Sequence, residues 1–531
     1  MINILLFSCA RVGAPNGGTR DSLAPKFLGS NIDTTRLNVS RTVKELRLDF
    51  DEYVMLKDFN KNFNVSPPIK KIKKVIPSNL ANKYVLIQWE DTLQANTTYN
   101  FNFGNAIVDN NESNPLPYFN FAFSTGDKID DLFVSGTVKD AMTLIKENQT
   151  AKDNKMVVGL YKAGENLDYK QKPDYITKVD EENYFELNFL PKGEFVIIAF
   201  DDENQNSVYD AGKEKVSFLK EKITLDSTSV RGLKLKLYPS KKVVKYKESK
   251  AINGGLLMTF EGNPETVEVK SLSEELKDFK VTHAKRSDSV NIWFDAEKSN
   301  LGGTVSKQVK LSYFTPTISD TISVSYKAVK DEFKLSNEAG NLIAPENNFV
   351  INTSLPIENL NTSSWKLESD SIAQDFTAKI SEKNPFKILV NSSFKPTKKY
   401  VLTIPKETVS SYYSSNDKSF QFQFEIDKPE NYGSFTAVIK NKPTAKFWVE
   451  LTNEKGEILY SQFTNASEVS FKNLKPATYI ARIRVDNNGN GFWDEADFAQ
   501  NIAAEDVYIF EKEINVRPLW EIKEDWELTN H

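Results

Sequence analysis

Short runs of alternating apolar and polar residues recur along this chain and constrain its fold more than any other feature. In Tyr99–Phe103 and Phe420–Phe424 every second side chain is aromatic. Successive side chains of a β-strand point to opposite faces, so this period of two predicts strands with one buried and one exposed face. The best helical candidate, Leu272–Phe279, is short. The sequence therefore predicts an all-β fold of tandem antiparallel β-sandwich domains, joined end to end.

The chain is too long for a single hydrophobic core. A total of 531 residues, at about 150 residues per domain, predicts about three to five domains. We expect the tail to pack on the last sandwich as a strand or short helix. The predicted segments are a signal remnant at 1–8, a flexible tether at 9–24, sandwiches at 25–127, 130–238, 346–428 and 430–517, a β-rich domain of unknown type at 243–345, and the tail at 518–531.

Two of these sandwiches contain the same motif. A leucine, two aspartates and two asparagines recur at a constant offset of 284 residues, and similar apolar strands precede both loops. The sequence therefore predicts two domains of one type. The matching residues are Leu190, Asp202, Asn204, Asn206 and Asp210 in the first, and Leu474, Asp486, Asn488, Asn490 and Asp494 in the second.

The single cysteine, Cys9, follows the apolar run Ile4–Ser8. This context resembles the lipobox of bacterial lipoproteins, in which the signal is cut before the cysteine and its sulfur is acylated. The resemblance implies lipidation of Cys9 and attachment to the outer membrane through that lipid. The alternative is an apolar N-terminal strand with a chance cysteine.

Composition argues against several function classes. The chain has two histidines, His283 and His531, and one cysteine, so nucleophile–histidine catalysis and a zinc site are poorly supported. The net charge is −5 and the basic residues are dispersed, which does not indicate a nucleic-acid surface. Carboxylate-based hydrolysis stays open in principle, but no spacing singles out a pair. We therefore expect that the protein is not an enzyme.

The loop Asp486–Asp497 follows the calcium-loop pattern in which ligands stand at positions one, three, five, seven, nine and twelve. Gly491 would allow the sharp turn, and aspartate stands where glutamate is usual at position twelve. The alternative is an Asx-rich loop whose side chains bond only its own backbone. The predicted ligands of a structural calcium ion are Asp486, Asn488, Asn490, Asp494, Asp497 and the carbonyl of Phe492.

The earlier loop predicts a second, weaker calcium site. Ser207 stands where the pattern has glycine, and Lys213 occupies position twelve, so Glu214 would have to substitute as a ligand. The predicted ligands are Asp202, Asn204, Asn206, Asp210 and Glu214.

Three segments carry a resemblance to known domain families. Pro25–Gly126 resembles the bacterial immunoglobulin-like (Ig-like) domain of the S-layer type, through Phe50–Val54, Leu93–Tyr99 and Ile107–Asn114, and residues 346–428 look like a degraded copy. The repeated domain is similar to the carboxypeptidase regulatory-like, or transthyretin-like, sandwich through Leu190–Phe195 and Leu474–Tyr479. Together with the lipobox, this combination resembles a family of Bacteroidota outer-membrane lipoproteins.

That resemblance implies location and architecture more than activity. Our first hypothesis is a non-enzymatic, outer-membrane-anchored scaffold or accessory subunit of a protein machine for barrel assembly, secretion or uptake. Its partners would be an outer-membrane β-barrel or other envelope proteins. The alternative hypothesis is a cell-surface glycan-binding or adhesive lipoprotein. The sequence leaves open which membrane face the protein occupies.

Overall fold

A computed structural model of the protein describes residues 21–144, 155–164, 168–329, 332–338 and 340–528. Within these ranges the regular structure is almost entirely β-strand, apart from a short helix α1 (Phe59–Asn62) and a 3-10 turn at Pro429–Asn431. The all-β prediction is confirmed. No helix in these ranges is long and apolar enough to span a membrane. Cys9 and most of the predicted tether lie outside the described residues.

The first sandwich surrounds a core rich in phenylalanine. Phe101, Phe103, Phe121 and Phe123 are all buried in it. One sheet has the order β1-β2-β5-β4, with β7 paired to β2, and the other has the order β3-β6-β8. Its strands are β1 (Phe27–Ser30), β2 (Glu45–Leu56), β3 (Asn64–Ser66), β4 (Ile72–Ile76), β5 (Asn82–Trp89), β6 (Thr98–Gly104), β7 (Ile107–Asp109) and β8 (Phe119–Ser124).

The second sandwich packs two sheets around Val134, Leu160 and Ile197. Its larger sheet has the order β11-β10-β13-β14, with β15 also paired to β13, and its smaller sheet has the order β12-β9-β16. Its strands are β9 (Leu132–Asp140), β10 (Met156–Lys162), β11 (Tyr175–Lys178), β12 (Tyr184–Leu190), β13 (Gly193–Asp201), β14 (Val216–Phe218), β15 (Ile223–Leu225) and β16 (Val230–Leu237).

The third sandwich occupies the segment for which the sequence suggested no type. Its sheets have the orders β17-β18-β21-β20 and β19-β22-β23. Its strands are β17 (Lys245–Ile252), β18 (Gly255–Glu261), β19 (Glu268–Ser271), β20 (Lys280–His283), β21 (Ser289–Trp293), β22 (Lys307–Phe314) and β23 (Ser319–Tyr326).

The helix predicted at Leu272–Phe279 does not form, and that prediction is wrong. These residues make the turn between β19 and β20, in which the Leu276 amide bonds the Ser273 carbonyl at 3.3 Å. A helix of this length is marginal without tertiary support. Leu276 is instead buried in the third core as the single apolar anchor of the turn.

The fourth sandwich begins earlier than the predicted boundary at 346. Leu335 and Ile343 are already buried in its core, because β24 pairs with β26 and β25 pairs with β34. Its strands are β24 (Leu335–Asn337), β25 (Leu342–Ile343), β26 (Phe349–Thr353), β27 (Asn359–Leu360), β28 (Lys366–Ser369), β29 (Ile372–Ala373), β30 (Phe376–Ser381), β31 (Asn384–Ser392), β32 (Lys399–Ile404), β33 (Val409–Ser410) and β34 (Phe420–Ile426).

The fifth sandwich includes the C-terminal tail. Residues of the tail form β41, which pairs in parallel with β35 and buries Trp526 in the core. The sheets have the orders β38-β35-β41 and β37-β36-β39-β40. The strands are β35 (Gly433–Lys440), β36 (Phe447–Thr452), β37 (Ile458–Thr464), β38 (Glu468–Leu474), β39 (Ala477–Val485), β40 (Val507–Val516) and β41 (Glu521–Glu527).

The second and fifth sandwiches share one topology. The order β12-β9-β16 corresponds to β38-β35-β41, and β11-β10-β13 corresponds to β37-β36-β39. The single strand β40 takes the place of β14 and β15, which both pair with β13. The sequence repeat is therefore also a repeat of strand order.

The chain forms two compact units. The first holds the described residues up to Lys139, those of 155–210 and those of 216–237; the second holds those of 140–144, 211–215 and 238–528. Within the second unit the sandwiches are not simply joined end to end. Arg286, from the third sandwich, forms an ion pair of 2.7 Å with Asp494 of the fifth. Trp293, also from the third, is buried in the core of the fourth.

Candidate metal centre

The predicted calcium loops leave equivalent strands of the two related sandwiches. Asp202 directly follows β13, and Asp486 directly follows β39. Both aspartates are buried, with exposed fractions of 4% and 3%. A strand end at the rim of a sandwich can turn successive side chains towards one point, which is what a cation site needs.

The Asp486 carboxylate organises the loop of the fifth sandwich. Its Oδ1 accepts a hydrogen bond from the amide of Asn490 at 3.0 Å, and its Oδ2 accepts one from Gly491 at 3.0 Å. The Phe492 amide in turn donates to Asn490 Oδ1 at 2.7 Å. Gly489 and Gly491 have φ values of 73° and 81°, in the left-handed region that glycine adopts without strain.

Asp494, at position nine, connects the loop to a cation. Asn490 donates through Nδ2 to Asp494 Oδ2 at 2.7 Å, and Asn488 donates to the same oxygen. Arg286 donates through Nη1 to Asp494 Oδ1 at 2.7 Å. Burial alone would raise the pKa of Asp494, but these amide and guanidinium contacts outweigh it and hold the pKa below its ordinary value. The carboxylate is therefore ionised and available to a metal, although Arg286 competes for it.

The loop of the second sandwich repeats this pattern. The amides of Asn206 and Ser207 donate to the two oxygens of Asp202 at 3.0 Å each. Asn204 donates through Nδ2 to Asp210 Oδ2 at 2.6 Å. Ser207 and Gln205 have φ values of 61° and 59°, where the other loop has its two glycines. The backbone therefore keeps the same turn without glycine, at a cost in strain.

Glu505 is a site residue that the sequence reasoning missed. It is 6% exposed and accepts hydrogen bonds from the amides of Asn488 at 3.1 Å and Asp494 at 2.9 Å. Burial raises its pKa, against the lowering effect of these amides. Glu505 stands directly before Asp506 and the start of β40, and Glu214 stands in the same place before β14. The longer loop of the fifth sandwich hid this equivalence from any comparison at one fixed spacing.

The structure links Asp486, Asn488, Asn490 and Asp494 by hydrogen bonds but does not link Asp497 to them. The Asp497 carboxylate accepts instead from the amide of Gln500 at 3.1 Å, within its own turn. In the described part of the chain, no three His, Cys, Asp or Glu side chains converge as a metal-binding group. Any cation at this loop would therefore depend on amide and backbone oxygens as well as on carboxylates, which suits calcium better than a transition metal.

Asp109 organises a third loop, in the first sandwich, without a calcium pattern. It is 1% exposed, and its two oxygens accept from the amides of Asn111, Glu112, Ser113 and Asn114 at 2.7–3.2 Å. Burial alone would raise its pKa, but these four donors outweigh it, and the pKa is lowered.

The depressed pKa of Asp109 predicts a pH dependence of stability. The carboxylate stabilises the first sandwich above its unfolded pKa of about 3.9, and this contribution is lost as the pH falls through the lower folded value. We expect Asp109→Asn to destabilise the sandwich at pH 7 and to flatten its acid dependence, as measured by hydrogen exchange between pH 3 and 7. Asp49→Asn, at a partly exposed carboxylate, is the control. An unchanged acid profile in Asp109→Asn would contradict the prediction.

The comparisons with known proteins identify one part of the chain. Residues 21–125 match the bacterial Ig-like domain family. No curated protein matches the chain. Three solved structures illustrate the fold likeness, although their TM-scores carry no argument about function. They are surface layer protein SbsC, domains 1–6 (12% identity, covering 93% of this chain and 67% of that one, TM-score 0.16); Bacteroides ovatus SGBP-B of the mixed-linkage glucan utilization locus, in complex with a mixed-linkage heptasaccharide (9%, 73% and 94%, 0.20); and BcpA, the major pilin subunit of Bacillus cereus (10%, 75% and 99%, 0.14).

The family match coincides with the first sandwich and with the segment whose motifs carried the resemblance. It ends one residue before Gly126, which closes the strand-and-turn pattern of that sandwich. The first sandwich is therefore a bacterial Ig-like domain.

Proposed function

We propose that the protein is a non-enzymatic scaffold of the bacterial cell envelope, held at the outer membrane by a lipid on Cys9. In this proposal it serves as an accessory subunit of an outer-membrane protein machine. Its β-sandwiches would act as rigid modules that hold a partner, such as a β-barrel protein, at a set distance from the anchor.

The observation that carries the proposal is the set of buried contacts between sandwiches inside each unit. In the first unit, the amide of Ile176 donates to Ser66 Oγ at 3.2 Å, and both residues are buried. In the second, Trp293 fills the neighbouring core, and Asn473 donates through Nδ2 to the Pro345 carbonyl at 2.8 Å. Such contacts restrict the hinge motion expected of sandwiches joined only by a linker. A spacer needs that rigidity, whereas a catalyst would also need a reactive site.

The test is purification of a C-terminally tagged full chain from native outer membranes in mild detergent, followed by mass spectrometry. We expect stoichiometric recovery of a β-barrel protein, and we expect Cys9→Ser to leave the membrane fraction and lose that partner. Recovery of the chain alone would contradict the accessory-subunit proposal and would favour the glycan-binding alternative, which a glycan array would then address. Retention of Cys9→Ser in the membrane would contradict the anchor.

The proposal includes structural calcium at the two equivalent loops. In the fifth sandwich the side chains of Asp486, Asn488, Asn490 and Asp494 would supply ligands, and Glu505 is the acidic residue that closes the loop, in place of Asp497. A bound ion would fix the loop at the sandwich rim and would leave the fold unchanged.

Calcium is expected to stabilise the fifth sandwich measurably. With a dissociation constant of about 0.1–1 mM, typical of extracellular modules, 10 mM calcium should add about 1.4–2.7 kcal/mol by mass action. Hydrogen exchange of β39 and β40 with calcium or with chelator measures this increment. We expect Asp494→Asn and Glu505→Gln to abolish it and Asp497→Asn to retain it. Loss of the increment in Asp497→Asn alone would restore the ligand set predicted from the sequence, and no increment in wild type would contradict calcium binding.

A further inference from the structure

The edge strand β37 of the fifth sandwich has the composition of an interface. It is the terminal strand of its sheet, and within the described ranges no strand pairs with its outer edge. Its sequence, from Ile458 to Thr464, contains neither a charged residue nor a proline. Ile458, Leu459 and Phe463 are 46%, 50% and 44% exposed. Edge strands of monomeric proteins are usually protected by lysine, proline, a bulge towards solvent or a covering segment, because an open edge pairs with other chains.

The equivalent strand of the second sandwich shows what covers this edge in the same fold. β11 holds the place in its sheet that β37 holds in the fifth sandwich. Its residues Tyr175 and Ile176 are only 2% and 8% exposed. The covering element is β3 of the Ig-like sandwich, which contacts β11 and accepts the hydrogen bond from Ile176 at Ser66 Oγ. The chain therefore covers this position with a neighbouring β-edge in one copy of the fold and leaves it open in the other.

We infer that β37 is the surface through which two copies of this chain associate. An antiparallel pair of identical strands is related by a two-fold axis, so one contact completes the open edges of both molecules. With the axis at Ser461, Leu459 of one copy lies opposite Phe463 of the other. This arrangement buries the two most exposed apolar side chains near the strand centre and brings no like charges together.

Neighbouring side chains extend this surface. Phe463 stacks on Trp448 of β36, with ring centroids 4.4 Å apart. The Lys446 ammonium lies 5.7 Å from the Phe463 ring, at the margin of the stack. An aromatic pair at the centre with a cation at the rim is the usual composition of a protein interface.

Sedimentation velocity of the purified full chain tests the inference. We expect wild type to sediment as a dimer at micromolar concentration, and the double variant Leu459→Lys/Phe463→Lys to sediment as a monomer with half the mass. The control Ile372→Lys, at an exposed residue of the edge strand β29 in another sandwich, should remain dimeric. A wild type that stays monomeric at 100-fold higher concentration would overturn the inference.

A cross-linking variant keeps the test decisive if the lysine variant folds poorly. In a Cys9→Ser background, Ser461→Cys places the only two thiols of a dimer next to the two-fold axis. We expect a disulfide-linked dimer after mild oxidation, on a non-reducing gel. The matched control is Ser319→Cys, at an exposed position of the edge strand β23, and it should stay monomeric. Equal cross-linking of both variants, or none at Ser461→Cys, would overturn the inference without affecting the proposed scaffold function.

Discussion

Replacing Glu450 by leucine is expected to lower the free energy of unfolding of the fifth sandwich by about 3–5 kcal/mol. Glu450 lies on β36 and is 1% exposed. Arg482, its cross-strand neighbour on β39, donates to Glu450 Oε2 through Nε at 2.9 Å and Nη2 at 2.7 Å. Arg484 donates to both carboxylate oxygens, with its Nε at 3.0 Å from Oε1. Removing the carboxylate would leave a buried and a partly buried guanidinium without their counter-charge.

The measurement is native-state hydrogen exchange of the amides in β36 and β39, because a chain of several domains has no single unfolding free energy. Leucine without the arginines should recover most of the loss: in the triple variant Glu450→Leu/Arg482→Met/Arg484→Met the uncompensated charges are gone. The matched control is Glu468→Gln, which breaks an exposed ion pair of 3.0 Å with Lys523 in the same sandwich and should change stability by about 1 kcal/mol or less. Equal effects of Glu450→Leu and Glu468→Gln would contradict the prediction.

Asn416→Ala should have a comparable effect on the fourth sandwich, a loss of about 3–4 kcal/mol. Asn416 is fully buried. Its Oδ1 accepts from the amides of Thr408 at 3.0 Å and Val409 at 2.9 Å. Its Nδ2 donates to the carbonyls of Pro405 at 2.8 Å and Lys418 at 2.9 Å. Alanine would leave four backbone groups without the partner that the side chain supplies.

Hydrogen exchange of β32 and β34, which flank this side chain in the sequence, would measure the loss. Asn361→Ala is the control, because Asn361 is exposed and its side chain bonds only the nearby Ser363; it should change stability by about 0.5 kcal/mol or less. Exchange rates that rise equally in the two variants would show that the Asn416 network contributes little.

The site was only partly predictable from the sequence. Asp486, Asn488, Asn490 and Asp494 are close together in the sequence, so a spacing pattern could group them, and the structure links them by hydrogen bonds. Glu505 and Arg286 reach the same loop from further along the chain and from another sandwich. Nothing local marks them, because their roles depend on which strand follows the loop and which sandwich packs beside it. The calcium ligands themselves stay a prediction until the metal is titrated.

The sequence by itself determined the fold class, the Ig-like domain and the repeated sandwich. Alternation of apolar and polar residues is a local property of each strand, and it depends only on the period of two of the β-conformation. The tertiary structure alone decided which strand faces and edges are covered. Asn100 reads as a solvent-facing residue of β6, yet it is only 9% exposed, because β6 packs beside β12 of the second sandwich. β11 and β37 occupy the same place in one topology, yet only β11 is covered. Burial of a strand face or edge depends on residues distant in the chain, and no local pattern contains that information.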